Sequence, residues 1–136
     1  MKPDIDTKLV ALIGYPLGQS FAARMQNAAF EAMGLNWQYL YNEARGDCLG
    51  EIVSGIRFMS MFGGAAVTKP HKVAVMDMLD AADPLCLQIG ACNTIVKTSN
   101  GALVGYNTDA IGFLKSLEEA GFTAKGKSFF VLGLVV

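Results

Sequence analysis

"NTIVKTSNGALVGYN" (Asn93–Asn107) decides the fold. Two β-rich runs, Thr94 to Lys97 and Leu103 to Tyr106, flank Asn100-Gly101. Asn-Gly suits the positive φ of a tight hairpin turn, so the stretch reads as two antiparallel strands. Upstream the rhythm is different. "KLVALIG" (Lys8–Gly14) is a short apolar run closed by glycine, then Pro16, and reads as a buried strand. Phe21, Met25, Ala28, Ala29 and Ala32 recur at helical spacing and stop at Gly34. "WQYLYN" (37–42) alternates as a strand. Leu49, Ile52, Val53 and Ile56 stripe a second helix, and "MFGGAAVT" (61–68) is the next strand. Proline is favoured in a first helical turn, which predicts a helix from Pro70 to about Leu79. Alternating strands and helices imply parallel pairing, to which the hairpin adds antiparallel strands. The expected fold is α/β, a three-layer mixed β-sheet with helices on both faces.

Beyond the hairpin, Ile111, Leu114 and Leu117 stripe a helix that ends at Gly121. "FTAKGK" (122–127) is a polar turn, and "FFVLGLVV" (Phe129–Val136) reads as a last buried strand. No later residue gives that strand a neighbour. Unpaired strand edges recruit other chains, so copies are expected to associate through this C-terminal strand.

The 136 residues suit one domain, and a 52% apolar, 17% charged composition argues against disorder. A net charge of −1 without a basic block argues against a nucleic-acid partner. No apolar run reaches the roughly 18 residues of a membrane span, and "MKPDIDTK" does not read as a signal peptide. Cys48, Cys86 and Cys92 show no CxxC spacing and read as reduced thiols of a cytoplasmic protein. With a single histidine beside them, a zinc site is not expected.

Three segments carry candidate chemistry. Lys69-Pro70-His71-Lys72 places three potentially basic side chains at an expected helix start, where the dipole favours acids. Solvated lysines would explain this at a cost under about 1 kcal/mol. The alternatives are an anion site or a lysine placed to shuttle a proton. Asn107, Thr108 and Asp109 can each cap the helix that follows, and Ser20 can cap the first helix. "GACNT" (90–94) reads as a small-residue turn into the hairpin. Met25, Met33, Met59, Met61, Met76 and Met78 read as core filling. The chain has no GxGxxG, Walker A or GxSxG motif.

Taken together and in order, "GYPLGQS" (14–20), "VTKPHK" (67–72), "GACNT" (90–94) and "GYNTDAIGF" (105–113) resemble the N-terminal substrate domain of shikimate dehydrogenases. The resemblance runs from about Lys8 to Gly133. It implies an NADP-dependent oxidoreductase of aromatic amino acid and chorismate biosynthesis, interconverting 3-dehydroshikimate and shikimate. It also implies a catalytic pair, Lys72 and Asp109, in which the lysine exchanges a proton with the substrate hydroxyl and the aspartate holds it. Thr68 and Asn93 match positions that hydrogen-bond substrate hydroxyls, and Ser20 matches a serine that binds the substrate carboxylate. The implied division is a substrate-binding and catalytic domain over 1–108, a connecting helix and turn over 109–127, and the first strand of a dinucleotide-binding domain over 128–136.

The chain departs from that pattern at four places. Ala22 stands for a second serine, Gln19 for histidine, Ala66 for asparagine and Lys69 for an apolar residue. Two polar contacts to substrate are thereby lost, which leaves open quinate or another cyclic hydroxy-carboxylate as substrate, or a binding-only role. Where the resemblance implies a glycine-rich turn for NADP, the chain reads Leu134-Val135-Val136. A one-base frameshift in Gly-Ala-Gly-Gly codons gives that ending, as would vector-derived residues on a shortened chain. On this reading no cofactor binds here and the chain alone is inactive.

Overall fold

The computed structural model describes residues 3–18, 20–130 and 132. Its elements, in chain order, are β1 (Lys8–Gly14), α1 (Ala22–Ala32), β2 (Trp37–Glu43), α2 (Leu49–Phe58), β3 (Phe62–Val67), β4 (Ala81–Ala82), α3 (Pro84–Ile89), β5 (Thr94–Lys97), β6 (Leu103–Tyr106) and α4 (Asp109–Glu119). Short 3-10 turns cover Gly46–Cys48 and Ala74–Met78. The strands form one sheet in the order β2-β1-β3-β5-β6-β4. β1 is parallel to both β2 and β3; β5 is antiparallel to β3 and to β6; β4 is parallel to β6.

Strand β1 shows why the chain stacks in three layers. Its alternate residues are apolar on both faces. Ala11 and Ile13 join Leu49, Val53 and Ile56 of α2, Val75 and the α3 residue Cys86 in the larger core. Leu12 joins Ala23 of α1 and Tyr39 of β2 in the smaller one, with Val10 and Phe30 packed against it. A strand apolar on both sides stabilises the fold only where helices cover both. The fold is therefore α/β, a mixed sheet with helices on both faces. Fully buried Ile13, Leu49, Ile95 and Leu103 anchor it, and truncating any one to alanine would cost about 2–5 kcal/mol.

Several expectations are corrected. No α-helix begins at Pro70. The chain turns after β3, with His71 N–H donating to the Thr68 carbonyl at 3.0 Å, and only the 3-10 turn Ala74–Met78 follows. Both Tyr15–Pro16 and Lys69–Pro70 are cis. β4 and α3 were not anticipated. The signal for α3 was present: the Asp83 carboxylate accepts from Cys86 N–H at 2.8 Å, Pro84 opens the helix, and Gly90 ends it with a φ of 73°. Met76 and Met78 do pack on the core, but Met25, Met33, Met59 and Met61 are exposed.

The helix α4 forms where its stripe predicted it, yet it buries none of its residues. Phe122, just past its end, meets Phe129 edge-on with ring centroids 6.0 Å apart. Phe129 and Phe130 are exposed and lie outside any regular element. Most of the expected last strand, Val131 and Gly133 to Val136, lies outside the described residues. Among the described residues no helix is long and apolar enough to cross a membrane.

Candidate functional site

One edge of the sheet collects the chain's polar motifs. β1, β2 and β3 all end there, β5 begins there, and β6 returns to it, because Ala66 pairs with Thr94 and Thr94 with Tyr106. Backbone bonds tie the loops at this edge. Thr68 N–H donates to Ile13 O at 2.8 Å, Val67 N–H to Asn93 O at 2.8 Å, and Cys92 N–H to Lys72 O at 2.7 Å. Ligand sites of parallel sheets form outside this same end of the strands.

At its centre the Lys72 ammonium donates to the Asp109 carboxylate at 2.7 Å. The lysine side chain is 22% exposed and the aspartate 56% exposed. The other Asp109 oxygen accepts from the Asn93 amide at 2.8 Å. That amide also donates to the Thr108 hydroxyl at 2.8 Å, and the Asn93 oxygen accepts from Thr108 N–H at 3.0 Å. Both Asn93 amide hydrogens are thus spent inside the protein. Asn93 acts here as a strut that holds Asp109 against Lys72.

Capping of α4 falls to Asn107. Its side-chain oxygen accepts from Asp109 N–H at 3.1 Å and Ala110 N–H at 3.3 Å, while its amide donates to the Ala91 carbonyl at 2.9 Å. Asp109 is therefore released from the capping role that its position suggested. Its carboxylate faces Lys72 instead.

The basic cluster at 69–72 divides. His71 is 2% exposed and its Nε2 donates to the Ala44 carbonyl, so it is a core residue of the loop, turned away from Lys72's partners. Lys69 is exposed, and no helix dipole acts at this point, because the expected α-helix is absent. Only Lys72 meets a carboxylate. Thr68 shares the rim. Its methyl lies over the bare Cα of Gly14, where a Cβ would clash with both Thr68 and Leu17. Among the described residues its hydroxyl has no hydrogen-bond partner.

Ser20 is held apart from this network. It is not the N-cap of α1; Phe21 occupies that position without a side-chain cap. The Ser20 hydroxyl accepts from Ala22 N–H at 3.2 Å, and Tyr41 fixes the residue from behind. The structure thus joins Lys72, Asp109 and Asn93 directly and sets Thr68 beside them. Ser20 sits on the α1 side with no bond to the other four. Thr108, Asn107 and Tyr41 were missed as parts of this edge. For Asn107 and Thr108 the only signal was a cap position with three candidates, and for Tyr41 there was none.

Comparison with known proteins decides the family. The family described as "Shikimate dehydrogenase substrate binding domain" matches residues 12–95. This chain belongs to that family. It is 48% identical over 127 residues to a shikimate dehydrogenase (NADP(+)) of Moorella thermoacetica, covering 93% of this chain and 42% of that protein. Among solved structures it resembles a shikimate 5-dehydrogenase of Listeria monocytogenes in complex with shikimate and NAD. That match has 35% identity, a TM-score of 0.86, and covers 93% of this chain and 43% of the other. It also resembles a 5-ketofructose reductase of Gluconobacter, with 32% identity, a TM-score of 0.78, and coverage of 83% and 40%. The chain thus spans under half the length of these relatives, and the family assignment is that of a substrate-binding domain.

Proposed function

We propose that this chain supplies the substrate site and the proton-handling residues of an NADP-dependent shikimate dehydrogenase, an enzyme of aromatic biosynthesis. The observation that carries the reading is the Lys72–Asp109 pair at 2.7 Å, braced by Asn93 at the strand ends. In the reduction of 3-dehydroshikimate, hydride arriving at the carbonyl carbon leaves negative charge on oxygen. Lys72 donates the proton that quenches it, and takes it back in the oxidation of shikimate. Asp109 keeps the ammonium aimed at that oxygen throughout. Thr68 offers its hydroxyl to a substrate hydroxyl, Asn93 meets another if it gives up its bond to Thr108, and Ser20 faces the substrate carboxylate.

Bound NADP would supply or accept the hydride. The sequence holds no G-x-G-x-x-G turn of the kind that cradles a pyrophosphate. This chain's residues do not fit the cofactor, so none of them is assigned to it. We assign the chain to the cytoplasm, as its three free cysteines suggest, and assign association of copies to the apolar residues from Phe129 onward.

A second reading is favoured by Ala22 and Ala66, which put methyl groups at two positions expected to be polar. A relative that takes quinate or another cyclic hydroxy-carboxylate fits those two residues better. Thermal shift with shikimate and with quinate separates the readings. The larger shift names the ligand, and a Ser20→Ala, Thr68→Val double variant should lose it. Equal shifts in wild type and double variant would remove the site assignment.

A further inference from the structure

We infer that Tyr41 is a specificity-determining positioning residue, which holds Ser20 so that its hydroxyl hydrogen points at an incoming carboxylate. This rests on the reading of Ser20 given above. Tyr41 stands on β2 opposite Leu12 of β1. Its phenol reaches over the start of α1 and makes two bonds there. It donates to the Ser20 carbonyl at 2.5 Å and accepts from Ala23 N–H at 3.2 Å. One hydroxyl thus pins the residue before the α1 cap position and caps a first-turn amide of that helix, whose own cap position, Phe21, offers no side-chain bond.

The consequence falls on Ser20. Its Oγ accepts from Ala22 N–H at 3.2 Å. That bond consumes a lone pair and fixes the oxygen against the backbone. Among the described residues its hydrogen has no acceptor. A hydroxyl held in this way keeps its O–H free to donate, and a carboxylate is a strong acceptor for it. Without Tyr41 the carbonyl of Ser20 loses its clamp and the peptide is free to turn. A ligand must then bear the ordering that the phenol had already provided.

The prediction is a loss of affinity that depends on the carboxylate. In NMR titrations of the 136-residue chain, Tyr41→Phe should weaken shikimate binding about ten- to a hundredfold, the size of one hydrogen bond to a charged group. Ser20→Ala should do the same, and the double variant should be no weaker than Ser20→Ala alone. Shikimate methyl ester, which lacks the charge, should bind all four proteins alike. Hydrogen exchange at Ala23 N–H should quicken in Tyr41→Phe. If that variant does not fold, Tyr41→His, which retains a ring N–H donor, is measured in its place. Additive losses in the double variant, or unchanged shikimate affinity in a folded Tyr41 variant, overturn the Tyr41 assignment alone. If wild type binds neither shikimate nor its ester, the functional reading falls and takes this inference with it.

Discussion

Asp109 holds Lys72 with one carboxylate oxygen and Asn93 with the other, both within 2.8 Å. The pair spans two parts of the chain, since Lys72 follows β3 and Asp109 opens α4. More than half of the aspartate side chain is exposed. Exposed ion pairs contribute little to folding, typically under about 1 kcal/mol, so the arrangement serves geometry more than stability.

That separation can be tested by contrasting neighbours. Asp109→Asn should lower unfolding free energy by under about 1 kcal/mol. Asn107→Ala should cost more, about 1–3 kcal/mol, because it removes the α4 cap and leaves the buried Ala91 carbonyl with only the weak Cys86 thiol as donor. Urea unfolding of both variants decides the order. If Asp109→Asn is the more damaging, the aspartate is the structural residue of the two.

Catalytic silence is expected of the chain by itself. Shikimate or quinate with NADP should give no more NADPH, followed by its absorbance, than the Lys72→Ala variant gives. Turnover above that control would mean that these residues hold the cofactor after all.

Gly64 should not tolerate alanine. A Cβ there would run into the Ile95 carbonyl on the neighbouring strand, and backbone cannot swing aside as a side chain can. The expected cost is about 3 kcal/mol or more, read as a collapse of the urea midpoint. A variant within 1 kcal/mol of wild type, roughly the scatter of ordinary substitutions, would show that the β3–β5 pairing yields.

Alkaline pH should weaken the fold through two buried thiols. Burial, with a smaller contribution from Cys92, pushes the Cys86 thiol up to about 11 from an ordinary 9.0. Burial raises Cys92 as well. The unfolded chain then gives up these protons first. The contribution is fully present below pH 9.0 and is lost as pH rises through about 11. Urea midpoints should fall across that window, and Cys86→Ala should flatten the decline while lowering stability throughout.

The exposed apolar tail supports a test of association. Phe129, Phe130 and Leu132 are all exposed, as are Ile111, Phe113 and Leu114 of α4. Deleting residues 128–136 should reduce particle size in light scattering. Two monomeric forms of equal solubility would end the idea.

Legibility in the sequence followed local physics. β1, β2, β3 and the hairpin were readable, since runs such as Leu9 to Ile13 are apolar on both faces and Asn100-Gly101 marks its own turn. The segment after Pro70 was not. A favoured first-turn residue suggested a helix, and the loop instead folds back to place His71 under Ala44, a long-range choice that propensity does not encode. β4, two residues long, exists only because β6 offers it an edge. At the site, the resemblance named Lys72 and Asp109, while the cap remained ambiguous among three adjacent residues. Only the Ala91 carbonyl, brought close by the fold, selects Asn107.

The backbone bond from Val67 to Asn93 carries a further meaning. The residues on the rim belong to strands that run in opposite directions, so their meeting depends on pairing across a long stretch of chain. Val67, next to Thr68, is bonded to Asn93, so the docking of β5 delivers Asn93 beside Thr68. A ligand that touches both therefore selects the folded ensemble as a whole. Its binding free energy adds to that of folding, and a tight ligand should slow global amide exchange in the far strands as much as beside the site.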